Sequence, residues 1–154
     1  TLRWRLTVVQ QARPEDVAEV QDSYRNAEIT AHVAPFFQDL PERIANSHLV
    51  ISRAGASTVA ELTAIGRPAI LVPLPHAIDN DQLENARRME EAGGGWCIHQ
   101  SSITPELLAE RLEQLLSSPD ALAKAAEKAK GMGNVYAVNR LADLVADLAG
   151  PDGA

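Results

Sequence analysis

The residues able to do chemistry gather in three short stretches. The most informative is Ser52-Arg53-Ala54-Gly55-Ala56-Ser57-Thr58-Val59-Ala60-Glu61-Leu62. It follows an apolar run and opens a helical pattern, so it reads as a strand-to-helix turn. Small residues there let the backbone approach a ligand closely. The first N–H groups of the helix, with the positive end of its dipole behind them, face the same space. A diphosphate is the natural guest, with Arg53 available for a charge-assisted bond. A plainer reading fits equally well. Small residues are common in any such turn, and Thr58 with Glu61 matches the T-x-x-E capping box, which requires no ligand.

The second stretch is Pro73-Leu74-Pro75-His76-Ala77-Ile78-Asp79-Asn80-Asp81-Gln82, followed by Asn85-Ala86. It also leaves an apolar run and enters a helix. Its polar groups can face the ligand of the first turn, or form a solvated loop with Asp81 as helix cap. Asp79-Asn80-Asp81 has the D-x-D form that holds metal–nucleotide complexes in another fold, but two carboxylates in a loop are too common to imply a metal. His76 has no Cys or second His at ligand spacing. Neither a metal nor a cofactor is expected. The third stretch, Pro35-Phe36-Phe37-Gln38-Asp39-Leu40-Pro41, contains both phenylalanines of the chain. One ring is expected to stack on a flat ligand, the other to plug the core under the loop.

The elements that must position these loops alternate. Strand-like runs are expected at 5–10, 28–33, 49–52, 69–72 and 96–99. Helical patterns are expected at 14–26, 39–45, 58–65 and 82–92, with Pro14 suited to a first helical position and Gly66 to a helix end. The runs at 49–52 and 69–72 are continuously apolar, the mark of strands buried on both faces of a parallel sheet. This is the doubly wound α/β class, whose ligands bind at the carboxyl edge of the sheet. Three further helices, 104–116, 120–130 and 135–148, form a helical C-terminal end without intervening strands, the first opening with Thr104 as N-cap and Pro105 at the first helical position. Residues 1–150 read as one domain, with 151–154 a frayed tail.

Bulk properties narrow the class. The chain has 154 residues, 45% of them hydrophobic, and a net charge of −7. That suits a globular domain and argues against a nucleic-acid partner, which needs clustered Lys and Arg. No apolar run approaches the roughly 18 residues of a membrane span, and no signal peptide is recognisable. The single cysteine, Cys97, cannot form an intramolecular disulfide and is expected to be a buried core thiol.

In order and spacing, the Phe loop with its Asp39, the R-x-G-A-x-T-x-x-E turn at Arg53 to Glu61, and Gln82 before Asn85-Ala86 resemble the MurG family of N-acetylglucosaminyltransferases. Gly66-x-Pro68 and the apolar strand ending in Pro73 match as well. The resemblance runs from about Leu6 to Leu148. It implies the Rossmann-like C-terminal half of a two-domain GT-B glycosyltransferase, the half that holds UDP-N-acetylglucosamine. By resemblance, Phe36 and the backbone of Phe37 contact uracil, with Leu40 nearby. Arg53 lies at the nucleotide site, and Gly55, Ala56, Ser57 and Thr58 cradle the diphosphate. Glu61 accepts bonds from the ribose hydroxyls and Gln82 contacts the sugar. Asp81 stands where the family often has His or Gln.

The implied reaction moves N-acetylglucosamine onto undecaprenyl-diphospho-muramoylpentapeptide, lipid I, to give lipid II for peptidoglycan. The family's C-terminal domain begins with a strand and Gly-rich loop that precede the first residue here. The lipid acceptor and catalytic base belong to an N-terminal domain. The expectation is therefore a fragment that is inactive alone, holds no catalytic residue, and can self-associate through an exposed sheet edge. The parent is expected in the cytoplasm, peripheral on the inner membrane. The alternatives are the donor subunit of a split or related GT-B enzyme, and a non-catalytic nucleotide-binding module.

Overall fold

Apolar runs alternating with helical periods produce strands that each hand the chain to a helix. A computed structural model describes residues 5–75 and 80–133. Its elements are β1 (Thr7–Gln11), α1 (Val17–Asn26), β2 (Thr30–Ala34), α2 (Leu40–Ala45), β3 (Val50–Ser52), α3 (Ala56–Ile65), β4 (Ala69–Leu71), α4 (Asp81–Glu91), β5 (Gly95–Cys97), α5 (Pro105–Leu116) and α6 (Pro119–Met132). The helix expected at 135–148 and the tail at 151–154 lie outside the described residues. A helix between successive strands returns the chain to the same sheet end, so β1 with β2, β3 with β4, and β4 with β5 all pair in parallel. The chain divides into two compact units, Thr1–Asn46 and Ser47–Ala154. The first carries a two-stranded sheet and the second a three-stranded sheet in the order β3-β4-β5.

Among the described residues of the first unit, Val33, Phe37 and Ile44 are the buried apolar ones. The Tyr24 hydroxyl donates to Gln10 Oε1, tying α1 to β1, and partial burial pushes its pKa up. Helix α1 begins at Val17, later than the sequence suggests. Pro14 sits in the preceding turn, where the N–H groups of Asp16 and Val17 both reach the Arg13 carbonyl, at 2.9 and 3.2 Å.

The second unit is organised on β4, whose Ala69, Ile70 and Leu71 have no exposed surface. Ile70 and Val72 pack with Leu115 of α5 and Leu122 of α6, and Leu49, Trp96, Leu108 and Leu112 close around them. Leu62 of α3 and Met89 of α4 are fully buried as well. The continuous apolar run at 69–72 is therefore the buried central strand it resembles. The run at 49–52 departs from expectation. It forms β3, an edge of the three-stranded order, and Ile51 is 46% exposed.

Two glycines allow these elements to close. A Cβ on Gly95 would lie 2.6 Å from the Ala69 carbonyl oxygen across the β4–β5 ladder. Gly66 takes φ 83° to end α3, and the N–H groups of Gly66 and Arg67 both bond the Leu62 carbonyl. Lys130 of α6 then donates to the Ala64 carbonyl at 2.6 Å, satisfying another carbonyl of the last turn of α3.

Helix starts divide into two kinds. Thr104 caps α5 by accepting the Leu107 N–H, with Pro105 first in the helix as expected. Helix α3 begins two residues before the expected Thr58, because extended Gly55 (φ −61°, ψ 150°) is its N-cap and its carbonyl already receives the Val59 N–H. Thr58 is thus the third helical residue and Glu61 the sixth, so the capping box between them does not form. Nor does Asp81 cap α4. Asn80, at φ 53°, holds that position, and Asp81 is the first helical residue. Among the described residues no helix is long and apolar enough to cross a membrane.

Gly95→Ala should destabilise the chain by about 1–3 kcal/mol, the usual cost of overpacking, because its methyl collides with a ladder carbonyl. Gly131→Ala, in α6 with nothing within 4 Å of its Cβ, should stabilise it by about 0.5 kcal/mol. Urea denaturation of both variants measures the contrast. Equal and negligible changes would contradict the close β4–β5 approach.

Candidate functional site

In the second unit both polar loops leave the carboxyl ends of paired strands. Ser52 lies opposite Leu71 in the register, and the chain runs from Ser52 into the turn at 53–55 and from Leu71 into the loop starting at Val72. The Val72 N–H bonds the Ser52 carbonyl at 2.9 Å, extending the ladder to the brink of the turn. Beyond it, side chains tie the two loops together. Arg53 Nη1 donates to the carbonyls of Val72 and Pro73 at 3.2 and 3.3 Å. Asn85 Nδ2 donates to the Ala54 carbonyl at 3.1 Å, while within the second loop Gln82 Oε1 accepts the Leu74 N–H at 3.0 Å. The Ser52 hydroxyl oxygen is buried without a partner.

This arrangement leaves the start of α3 open. No side chain caps Gly55. The N–H groups of Ala56, Ser57 and Thr58 precede Val59, the first intrahelical donor, and so have no partner within the helix. Ala56 and Ser57 are exposed and Thr58 is half-buried. Glu61 follows Ser57 and Thr58 by four and three residues, which places its carboxylate on their face of the helix. The first-turn residues of α3 carry no acidic side chain to compete for the N–H groups. Such a turn can hold an anion through backbone donors while a carboxylate on the adjoining turn accepts from hydroxyls.

Gln82 and Asp81 stand at the start of α4, Asp81 exposed and Gln82 half-buried. His76 and Asp79, with the first half of the D-x-D pattern, lie outside the described residues. Cys97 is only partly buried rather than a core thiol. Burial, aided by Glu90, raises its pKa, which leaves it a poor nucleophile at neutral pH.

The first unit carries the Phe loop. Phe36 is 69% exposed and Phe37 only 6%, so the second ring fills the core while the first stands in solvent. Leu40, the first residue of α2, is 36% exposed. Sequence inspection missed the neighbours that shape this loop. Asp39 Oδ1 accepts from Arg43 Nε at 2.7 Å, and that bond holds the Asp39 carboxyl below its usual pKa. The i,i+4 spacing of Asp39 and Arg43 was the available signal. His32, eleven residues from Arg43, gave none. Asn85 was visible within the Q-x-x-N-A pattern but carried no assigned role; here it staples α4 to the first turn.

Comparison with known proteins follows the same outline. The model of the glycosyltransferase family 28 C-terminal domain matches residues 1–145. The chain is 56% identical over 143 residues to the UDP-N-acetylglucosamine–N-acetylmuramyl-(pentapeptide) pyrophosphoryl-undecaprenol N-acetylglucosamine transferase of Rhodospirillum rubrum, covering 93% of this chain and 37% of that protein. It is 54% identical to the transferase of the same name from Rhodospirillum centenum, covering 97% and 39%. The chain thus spans about two fifths of the length of these relatives. Among solved structures, Acinetobacter baumannii MurG superposes with a TM-score of 0.84 at 33% identity, over 91% of this chain and 42% of that one. The glycosyltransferase VinC, solved with dTDP, shares the fold at a TM-score of 0.65 and 20% identity, over 90% and 33%. With the family model running through both units and all three polar loops, this chain belongs to the glycosyltransferase family 28 C-terminal domains.

Proposed function

We propose that the chain is the UDP-N-acetylglucosamine-binding part of a transferase that places N-acetylglucosamine on undecaprenyl-diphospho-muramoylpentapeptide during peptidoglycan synthesis. The observation that carries this reading is the open start of α3. A Gly-capped helix with unspent N–H groups stands beside a carboxylate, at a sheet edge fastened by Arg53 and Asn85. The names and high identity of the Rhodospirillum relatives support the choice of sugar and acceptor.

In this reading Phe36 and the Phe37 backbone receive uracil, with Leu40 beside them. The N–H groups of Ala56, Ser57 and Thr58, together with the Thr58 hydroxyl, hold the diphosphate against Gly55. Glu61 accepts from the ribose hydroxyls, and Gln82 and Asp81 adjoin the sugar. Arg53 acts chiefly by holding the two loops together. The reaction is an inverting displacement. The acceptor hydroxyl attacks the anomeric carbon, the glycosidic oxygen leaves with UDP, and negative charge grows on the diphosphate. Preorganised backbone donors stabilise that charge more in the transition state than in the ground state. The acceptor and the base that takes its proton belong to the remainder of the enzyme, working at the cytoplasmic face of the membrane.

Two measurements test the proposal. Glu61→Gln should fold with a stability change under about 0.5 kcal/mol, as expected for a half-buried site outside any cap. It should bind UDP roughly ten- to a hundredfold more weakly, the loss of about 1.5–3 kcal/mol carried by charge-assisted bonds. Unchanged affinity in titration calorimetry would remove Glu61 from the site. The isolated chain should bind UDP in preference to ADP and show no transfer from UDP-N-acetylglucosamine to a lipid I analogue. Tighter binding of ADP would overturn the uracil assignment, and turnover near that of a complete enzyme would overturn the division of labour.

A further inference from the structure

The Phe loop is held by side chains that the proposed ligand contacts do not include. The Arg43 guanidinium carbon lies 4.4 Å from the centroid of the Phe37 ring, within cation–π range. The His32 ring meets the same phenyl at 5.2 Å and 88°, the edge-to-face geometry aromatic pairs favour. The guanidinium is itself fixed at two further points. Its Nε bonds Asp39 Oδ1 at 2.7 Å, and its Nη1 lies 3.2 Å from His32 Nδ1. A guanidinium only donates, so His32 Nδ1 is the acceptor in this contact. Asp39, although at the N-cap of α2, makes no side-chain bond to the helix backbone. Its carboxylate is turned to Arg43 instead, and that bond is the first cause of its lowered pKa.

A planar cation covering Phe37, an imidazole edge-on to it and a carboxylate locking the cation fix one ring of a consecutive pair. Phe36 cannot share that position and stands 69% exposed beside a 6% exposed neighbour. An exposed phenyl on a loop whose adjacent residue is clamped is a preorganised stacking surface, since the ordering it requires is complete before a ligand arrives.

We propose that Arg43, with His32 and Asp39, is a positioning residue that sets the loop so that Phe36 and the Phe37 backbone receive the base of the nucleotide. The inference rests on the proposed UDP-binding role of the loop and adds which side chains make it competent.

Titrating the chain with UDP and with inorganic pyrophosphate, which lacks the base, tests it. Arg43→Ala should weaken UDP about tenfold while changing pyrophosphate affinity less than about twofold, and Phe36→Ala should do the same. The double variant should lose less affinity than the sum of the two single losses, because part of the Arg43 effect passes through Phe36. Arg43→Lys retains the charge, but its point-like ammonium cannot bond Asp39 and His32 while covering the ring. It should give a smaller but equally selective loss, and it serves if the alanine variant fails to fold. Parallel loss of UDP and pyrophosphate affinity, or additive losses in the double variant, would overturn the positioning role. Wild-type affinity for UDP in Arg43→Lys and Arg43→Ala, with Phe36→Ala weakened, would overturn it and leave the base-reading loop intact. Wild-type affinity in Phe36→Ala would end both readings.

Discussion

Both polar loops of the second unit are referred to β4. Its three residues are buried on both faces, and its backbone is paired on both edges, with β3 and β5. A strand so enclosed has no freedom to shift by one residue without moving its side chains between opposite faces. The register that sets Ser52 against Leu71 therefore fixes where the two polar loops leave the sheet. The absence of a side chain at Gly95 is part of the same constraint, since β5 approaches the Ala69 carbonyl too closely for a Cβ.

From that edge outward, order is maintained by side chains bonding to backbone rather than to each other. Arg53 reaches the carbonyls that continue β4, Asn85 reaches the Ala54 carbonyl, and Gln82 receives the Leu74 N–H. The Arg53 and Asn85 bonds join the turn after β3 to the loop and helix after β4, and the Gln82 bond closes that second loop on itself. Arg53 spends two of its donors on this turn. A guanidinium engaged with two carbonyls braces the turn it leaves.

Much of this was legible beforehand. The apolar run at 69–72, the Thr104–Pro105 helix start and the Gly66 stop follow from rules that depend on adjacent residues alone. The start of α3 was misplaced because side-chain caps are the visible signal, whereas Gly55 starts the helix by conformation and has no side chain to offer. The division of labour between Phe36 and Phe37 was legible as one buried and one exposed ring. The clamp was not. His32 comes from a strand and Arg43 from the following helix, and their meeting depends on the path of the loop between them. Ile51 shows the opposite failure. An apolar run predicts burial only if something covers each face, and an edge strand can leave one residue in solvent.

The charge of the chain sharpens the physical question posed by an anionic ligand. A net charge of −7 repels a diphosphate at long range, but at physiological ionic strength that field decays over about 8 Å. Local terms decide the outcome. In its first turn α3 has only small and hydroxyl side chains, Ala56, Ser57 and Thr58, while α1, α2, α4, α5 and α6 each carry an acidic residue in the first turn. Those carboxylates answer the helix dipole internally and stabilise their own helices. The first turn of α3 lacks that compensation, so its unpaired N–H groups keep their full attraction for an anion from outside. The open start is stability forgone at this end of α3, and the buried neighbours Leu62 and Thr63 supply the packing that lets an uncapped start persist.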